Sequence, residues 1–226
     1  MFAAAARFGD EADDEVPRLV SALYLQPLVP PALASHSFRR LRRMNIAKVP
    51  VGRNPPYDVN VVVEIPQGSA PVKYEFDKES GAIFVDRFWH TAMYYPGNYG
   101  FVPHTRAQDG DPIDVLILGA IPVLPGAVVR CRPIGVLLTE DEAGGDEKIL
   151  AVPIEAIHSF YGDVHSHHDL PIVLKEQIGH FFLHYKDLEP GKWVKLSRWG
   201  DASEAADLIV AAIGRTTTEL NENSPA

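Results

Sequence analysis

From Val59 onward the chain is a succession of short, β-branched-rich runs, each cut off by proline or glycine before it can lengthen. Val59–Ile65 ends at Pro66, and Val72–Phe76 and Ala82–Asp86 flank Asp77-Lys-Glu-Ser-Gly81, a hairpin signature with glycine near the end of the turn. Ile113–Leu118, Val128–Leu138 and Ile149–Val152 read as further strands. Proline and glycine separate most of these runs.

Two helices are expected late in the chain. Asp169 is placed to cap the first, with Pro171 in its first turn and Ile178, Phe181, Phe182 and Tyr185 on one face. Asp201 opens the second, Glu204 completes a capping-box pattern, and Ala205, Leu208, Ile209, Ala212 and Ile213 form its apolar stripe. Gly214 is the expected stop, followed by a polar, frayed tail. Many short strands followed by two helices predict an α+β, mainly β fold: a small β-barrel carrying helices. No internal repeat is present.

The length of 226 residues suits one domain with an appendage. Cys131 is the one cysteine, so no intrachain disulfide can form, which fits a reducing compartment. Residues 1–43 differ in character from the rest. They carry six arginines against five acidic residues, so of the net charge of −9 the remainder of the chain holds −10. An acidic body of that kind disfavours nucleic acid held by general attraction. No apolar run reaches the ~18 residues of a membrane span. The first 43 residues lack the basic start and apolar core of a secretory signal, and Asp10–Glu15 is too acidic for a transit peptide. They read as a disordered extension, or as sequence upstream of a start at Met44, leaving 44–226 as the domain.

The stretch richest in chemistry is Asp109-Gly-Asp-Pro-Ile-Asp-Val115. Pro112 should end a loop there and let a strand begin, which puts Asp114 at the head of an apolar strand. A lone carboxylate is costly to bury in such a place, and a bound hard cation such as Mg²⁺ or Mn²⁺ removes the cost. A solvated acidic turn is the plainer reading. An EF-hand is excluded, because counting from Asp109 the sixth residue is Asp114 rather than Gly and the twelfth is Ala120 rather than Glu. A second acidic stretch, Glu140–Glu147 followed by Lys148, is either a polar hairpin loop or the complement of a multi-metal site. Lys73, Arg87, Tyr95, Tyr99, Tyr185 and Lys186 lie where loops meet strands, as surface charges and core tyrosines or as a collective phosphate-binding set.

Taken in order, Val63-Glu-Ile-Pro66, Lys73-Tyr-Glu75, Val85-Asp-Arg87, Tyr95-Pro-Gly-Asn-Tyr-Gly100, Asp109–Val115, Asp141–Lys148 and His184-Tyr-Lys-Asp-Leu188 resemble the family I soluble inorganic pyrophosphatases in their bacterial form. The resemblance runs from about Met44 to the second helix, and bacterial members of the family typically start near Met44. It implies a five-stranded OB-like β-barrel with flanking helices, and hydrolysis of pyrophosphate to two orthophosphates by metal-activated water. It implies three to four Mg²⁺ per site, with Mn²⁺ or Zn²⁺ as substitutes. Asp109, Asp114 and Asp146 resemble ligands of the first metal, with Asp114 also serving the second. Asp141 and Asp146 resemble holders of further ions, and Glu64 and Glu75 outer ligands. Asp111 resembles the general base. Lys73, Arg87, Tyr99, Lys148, Tyr185 and Lys186 resemble the phosphate-binding set, with Tyr95 beside them.

By the same resemblance the protein is cytoplasmic and homohexameric, with His180 and His184 near a subunit interface. The resemblance is weakest at His158, His165, His167 and His168, a histidine-rich loop that reads as solvated or as a zinc site. Two rival readings stand beside it: a metal-dependent hydrolase of nucleoside polyphosphates, although no Walker-type loop is present, and a non-catalytic OB-like binding module.

Overall fold

The computed structural model describes residues 45–77 and 80–222, with side chains as far as residue 218. The expectation for residues 1–43 lies outside them. Nine strands and two α-helices follow in chain order: β1 (Gly52–Asn54), β2 (Asp58–Ile65), β3 (Val72–Phe76), β4 (Ile83–Phe88), β5 (Asn98–Phe101), β6 (Asp114–Ile117), β7 (Val128–Asp141), β8 (Gly144–Pro153), α1 (Ile172–His184), β9 (Val194–Gly200) and α2 (Ala202–Glu222).

β3 and β4 form a separate hairpin, closed by Asp77, whose carboxylate accepts from the Ser80 N–H and whose carbonyl accepts from the Gly81 N–H. The remaining strands form one sheet in the order β1-β2-β5-β6-β8-β7-β9, and β2 also pairs with β7. That extra pairing closes β2, β5, β6, β8 and β7 into a five-membered ring, as expected of an OB-like barrel, with β1 and β9 added at its edges. Closure explains why β2 is buried on both faces, with Val59, Val61, Val62 and Val63 all inside.

The core has two main parts. Val59, Val61, Val115, Ile149 and Ile209 belong to one, which α2 covers, and Leu116, Leu150, Ile178, Phe181 and Phe182 to the other, which α1 covers. The predicted helical stripes are therefore the faces that seal the ring. Gly100 lets β5 lie against β2, because a Cβ at that position would collide with the Val62 carbonyl. Gly100→Ala is expected to cost about 3 kcal/mol by forcing the two backbones apart. A denaturation midpoint equal to that of the wild type would show that the strands can shift to admit the methyl group.

The helix boundaries differ from the sequence expectation in three places. Pro171, not Asp169, stands at the N-cap of α1. The Asp169 carboxylate instead accepts from the His165 and Ser166 N–H groups and closes a short 3₁₀ turn over His167–Asp169. Asp201 does cap α2, accepting from the Glu204 N–H, but the Glu204 carboxylate turns away to make a two-bond fork with Arg198. Gly214 does not stop α2, which runs on to Glu222. A single glycine costs a helix only about 1 kcal/mol, too little to end one whose apolar face is already docked.

The histidine-rich loop is tied down by Arg132, which donates to the carbonyls of Tyr161, Gly162 and Val164. His167 is buried and stacks on Trp199, while His165 and His168 are exposed. No helix among the described residues is long and apolar enough to cross a membrane.

Candidate active site

The strand pairings of the ring place acids and bases side by side. β6 lies parallel to β8 with Asp114 opposite Lys148, and β5 lies antiparallel to β6 with Phe101 opposite Asp114. Asp146 is two residues before Lys148 and therefore on the same face of β8. The Lys148 ammonium bridges the two carboxylates, at 2.5 Å from Asp114 Oδ2 and 2.5 Å from Asp146 Oδ1. The Tyr99 hydroxyl, from β5, donates to the same Asp114 oxygen at 2.5 Å.

At the tip of the β7–β8 hairpin the Asp141 carboxylate accepts from the Ala143 N–H and from Lys186, which follows α1. The separate β3–β4 hairpin faces the same space. Lys73 opposes Arg87 in its register, and the Lys73 ammonium is 2.5 Å from Glu75 and 3.3 Å from Asp86. Between β5 and β6, the loop before Pro112 holds its shape through an Asp109 carboxylate that accepts from the Asp111 N–H, and through Gly110 at φ +98°.

All fourteen residues singled out in the sequence line one cleft of about 890 Å³. Asp77 and Lys192, not singled out, line it too, so eight carboxylates face five cations. Trp89, Phe101 and Phe182 supply part of its apolar wall. Lys192 sits in a loop and Trp89 just past a strand end, and neither carried a spacing or neighbour pattern that would have marked it.

Electrostatics follow from this crowding. Burial, with Asp114 and Glu75 nearby, pushes the Glu64 carboxyl up to about 7, although the Phe76 N–H bond and Lys73 act the other way. Burial raises Asp111, and Asp109 and Asp114 add to the effect. Burial alone would depress Lys148, but Asp114, Tyr99 and Asp146 hold its ammonium well above the usual lysine range. Burial pushes the Tyr95 hydroxyl up to about 12 and Tyr99 well above its ordinary value, so both remain neutral donors near neutral pH.

The donor set suits hard cations. The cleft's potential metal-binding side chains are all carboxylates, with neither histidine nor cysteine among the described residues that line it. No three His, Cys, Asp or Glu groups among the described residues converge as a ready coordination shell. Three of the aspartates are held by lysine instead: Asp114 and Asp146 are drawn onto Lys148, and Asp141 onto Lys186. In the histidine-rich loop His167 is taken up by packing on Trp199.

A closed β-ring whose cleft interleaves excess carboxylates with lysine and arginine defines a class: enzymes that handle phosphate anions together with divalent cations. The comparisons specify the family. Residues 61–217 match the family described as inorganic pyrophosphatase. The chain is 62% identical over 172 residues to an inorganic pyrophosphatase of Caulobacter vibrioides, covering 76% of this chain and 97% of that one. It is 57% identical over 176 residues to that of Agrobacterium fabrum, covering 78% and 99%. Among solved structures, the inorganic pyrophosphatase of Thermus thermophilus superposes with a TM-score of 0.73 at 44% identity, covering 77% of this chain and 99% of that one. The Coxiella burnetii enzyme gives 0.72 at 49% identity, covering 74% and 99%. The chain belongs to the inorganic pyrophosphatase family.

Proposed function

We propose that this chain hydrolyses inorganic pyrophosphate to two orthophosphates in the acidic cleft, with Mg²⁺ as its cofactor. The observation that carries this reading is the cleft's charge: eight carboxylates against five cations in a single cavity. Pyrophosphate is highly anionic, so three excess negative charges would repel it. Three or four divalent ions reverse that sign.

Asp109, Asp114 and Asp146 would hold the first ion, and Asp114 also the second. Asp141 and Asp146 would hold ions that arrive with substrate, and Glu64 and Glu75 act through water. The all-oxygen donor set favours Mg²⁺ or Mn²⁺ over Zn²⁺. When bound, such ions supply positive charge to phosphate oxygens and lower the pKa of an attacking water toward neutrality.

The chain's own residues do the rest. Asp111 takes the proton of the attacking water, as a carboxylate in the loop that also carries Asp109. Lys73, Arg87, Lys148 and Lys186 bind the phosphate oxygens and stabilise charge on the leaving phosphate. Tyr95, Tyr99 and Tyr185 contribute neutral hydroxyl donors. No side chain forms a bond to phosphorus.

His180 and His184, whose rings are 4.6 Å apart on α1, lie near the interface of a homohexamer in this reading. The protein acts in the cytoplasm, without nucleic acid or membrane as partner. The test is phosphate release from pyrophosphate with Mg²⁺ and with chelator. Strong Mg²⁺-dependent release is expected. Faster release from ATP would favour a nucleoside polyphosphate hydrolase, and salt-sensitive oligonucleotide binding without turnover would favour a binding module.

A further inference from the structure

The cationic rim of the cleft comes from segments that no strand pairing joins. Arg87 lies on β4, in the separate hairpin, and Lys192 lies in the loop between α1 and β9. Their carboxylate partners differ: Asp86, shared with Lys73, is 2.7 Å from Arg87, and Glu142, shared with Lys186, is 3.4 Å from Lys192. The group common to both is Trp89. The Arg87 guanidinium carbon is 5.4 Å from the centre of its ring system, and the Lys192 ammonium is 5.9 Å from it.

We infer that Trp89 is a positioning residue for pyrophosphate capture: its indole holds Arg87 and Lys192 together at the mouth of the cleft. The inference rests on the hydrolytic reading above. Two like charges repel and would splay apart on flexible stems. An aromatic face attracts both, and tryptophan does so best of the aromatic residues.

The ring is itself fixed. It makes an edge contact with Tyr185 at 5.2 Å, its backbone N–H donates to the Pro71 carbonyl, and the next N–H, of His90, donates to Glu189. Packing alone does not explain a tryptophan here. The indole N–H is buried and lies toward the Tyr95 hydroxyl without the geometry of a good hydrogen bond. Phenylalanine or leucine would fill the same wall without an under-satisfied polar atom.

Steady-state kinetics with pyrophosphate and saturating Mg²⁺ test this. Trp89→Leu is expected to raise KM by about 5- to 20-fold, the loss of two cation–π contacts, with kcat within about twofold. Trp89→Phe keeps an aromatic face and should stay within about threefold of the wild-type KM. In a Lys192→Met background, Trp89→Leu should raise KM by a smaller factor than in the wild type, because one of the two cations is already gone. An unchanged KM in Trp89→Leu would overturn the inference while leaving the hydrolytic reading intact. So would equal damage from Phe and Leu, or effects of Trp89 and Lys192 that simply multiply. If Trp89→Leu does not fold, Trp89→Met, which keeps bulk but has no aromatic face, takes its place in the same comparison and in the cycle with Lys192→Met. A wild type that releases no phosphate overturns both.

Discussion

Asp111→Asn is expected to lower Mg²⁺-dependent phosphate release from pyrophosphate by about 10²- to 10⁴-fold. The substitution keeps the shape of the side chain and removes its ability to accept a proton. The side chain is exposed in the cleft, and the loop's own hydrogen bond runs from the Asp111 N–H to Asp109, so the fold should be unaffected. Asp114→Asn should lower release by a similar order for a different reason. It removes a charge that Lys148 and Tyr99 both address and that the proposed reading assigns to two ions. Kinetics and a thermal melt on each variant separate the cases. An Asp111→Asn enzyme within tenfold of the wild type would remove Asp111 from the role of base and leave proton transfer to another group.

Lys148→Met is expected to combine a large activity loss with a conditional loss of stability. Lys148 is only 4% exposed and bridges Asp114 and Asp146 at 2.5 Å each. Removing it leaves two carboxylates facing each other in a partly dry cleft, a change that costs about 3–5 kcal/mol when a buried ion pair loses one partner. That cost should appear in chelator and shrink when Mg²⁺ is added, because a cation can then neutralise the stranded carboxylates. The readout is the denaturation midpoint of variant and wild type, each with and without Mg²⁺. Equal midpoints in chelator would show that Asp114 and Asp146 do not depend on Lys148 for their compensation.

Much of this protein is legible in its sequence. The strands of the ring that are apolar on both faces stand out, because burial on both sides favours a β-branched-rich run such as Val59–Ile65. Those that lack such a run do not. β5 is built around Asn98, Tyr99 and Gly100 and owes its existence to its two neighbours, Val62–Ile65 on one side and Asp114–Ile117 on the other. β9 alternates polar and apolar residues along β7, and its pairing partner lies more than fifty residues earlier in the chain. Helix ends are misplaced for a related reason: capping rules consider only the residues of the cap itself, whereas the Glu204 carboxylate is taken by Arg198, six residues earlier on β9, and α2 has a docked face to carry it past Gly214.

The chemistry divides in the same way. The sequence read through its family resemblance selects fourteen residues: the carboxylates at Asp109, Asp111 and Asp114 and the lysines and tyrosines at strand ends form a local pattern, and the resemblance adds Glu64 and Glu75. It cannot show that they share one cleft, since that depends on β6 pairing in parallel with β8, which sets Asp114 against Lys148. It cannot find Trp89 or Lys192, which gain meaning only from each other's proximity across segments far apart in the chain. Local patterning fixes which side chains are present and which strands must be buried. Which charges meet, and therefore what the cleft can bind, is decided by tertiary pairing, because Coulomb and cation–π interactions act through ångströms of space rather than along the chain.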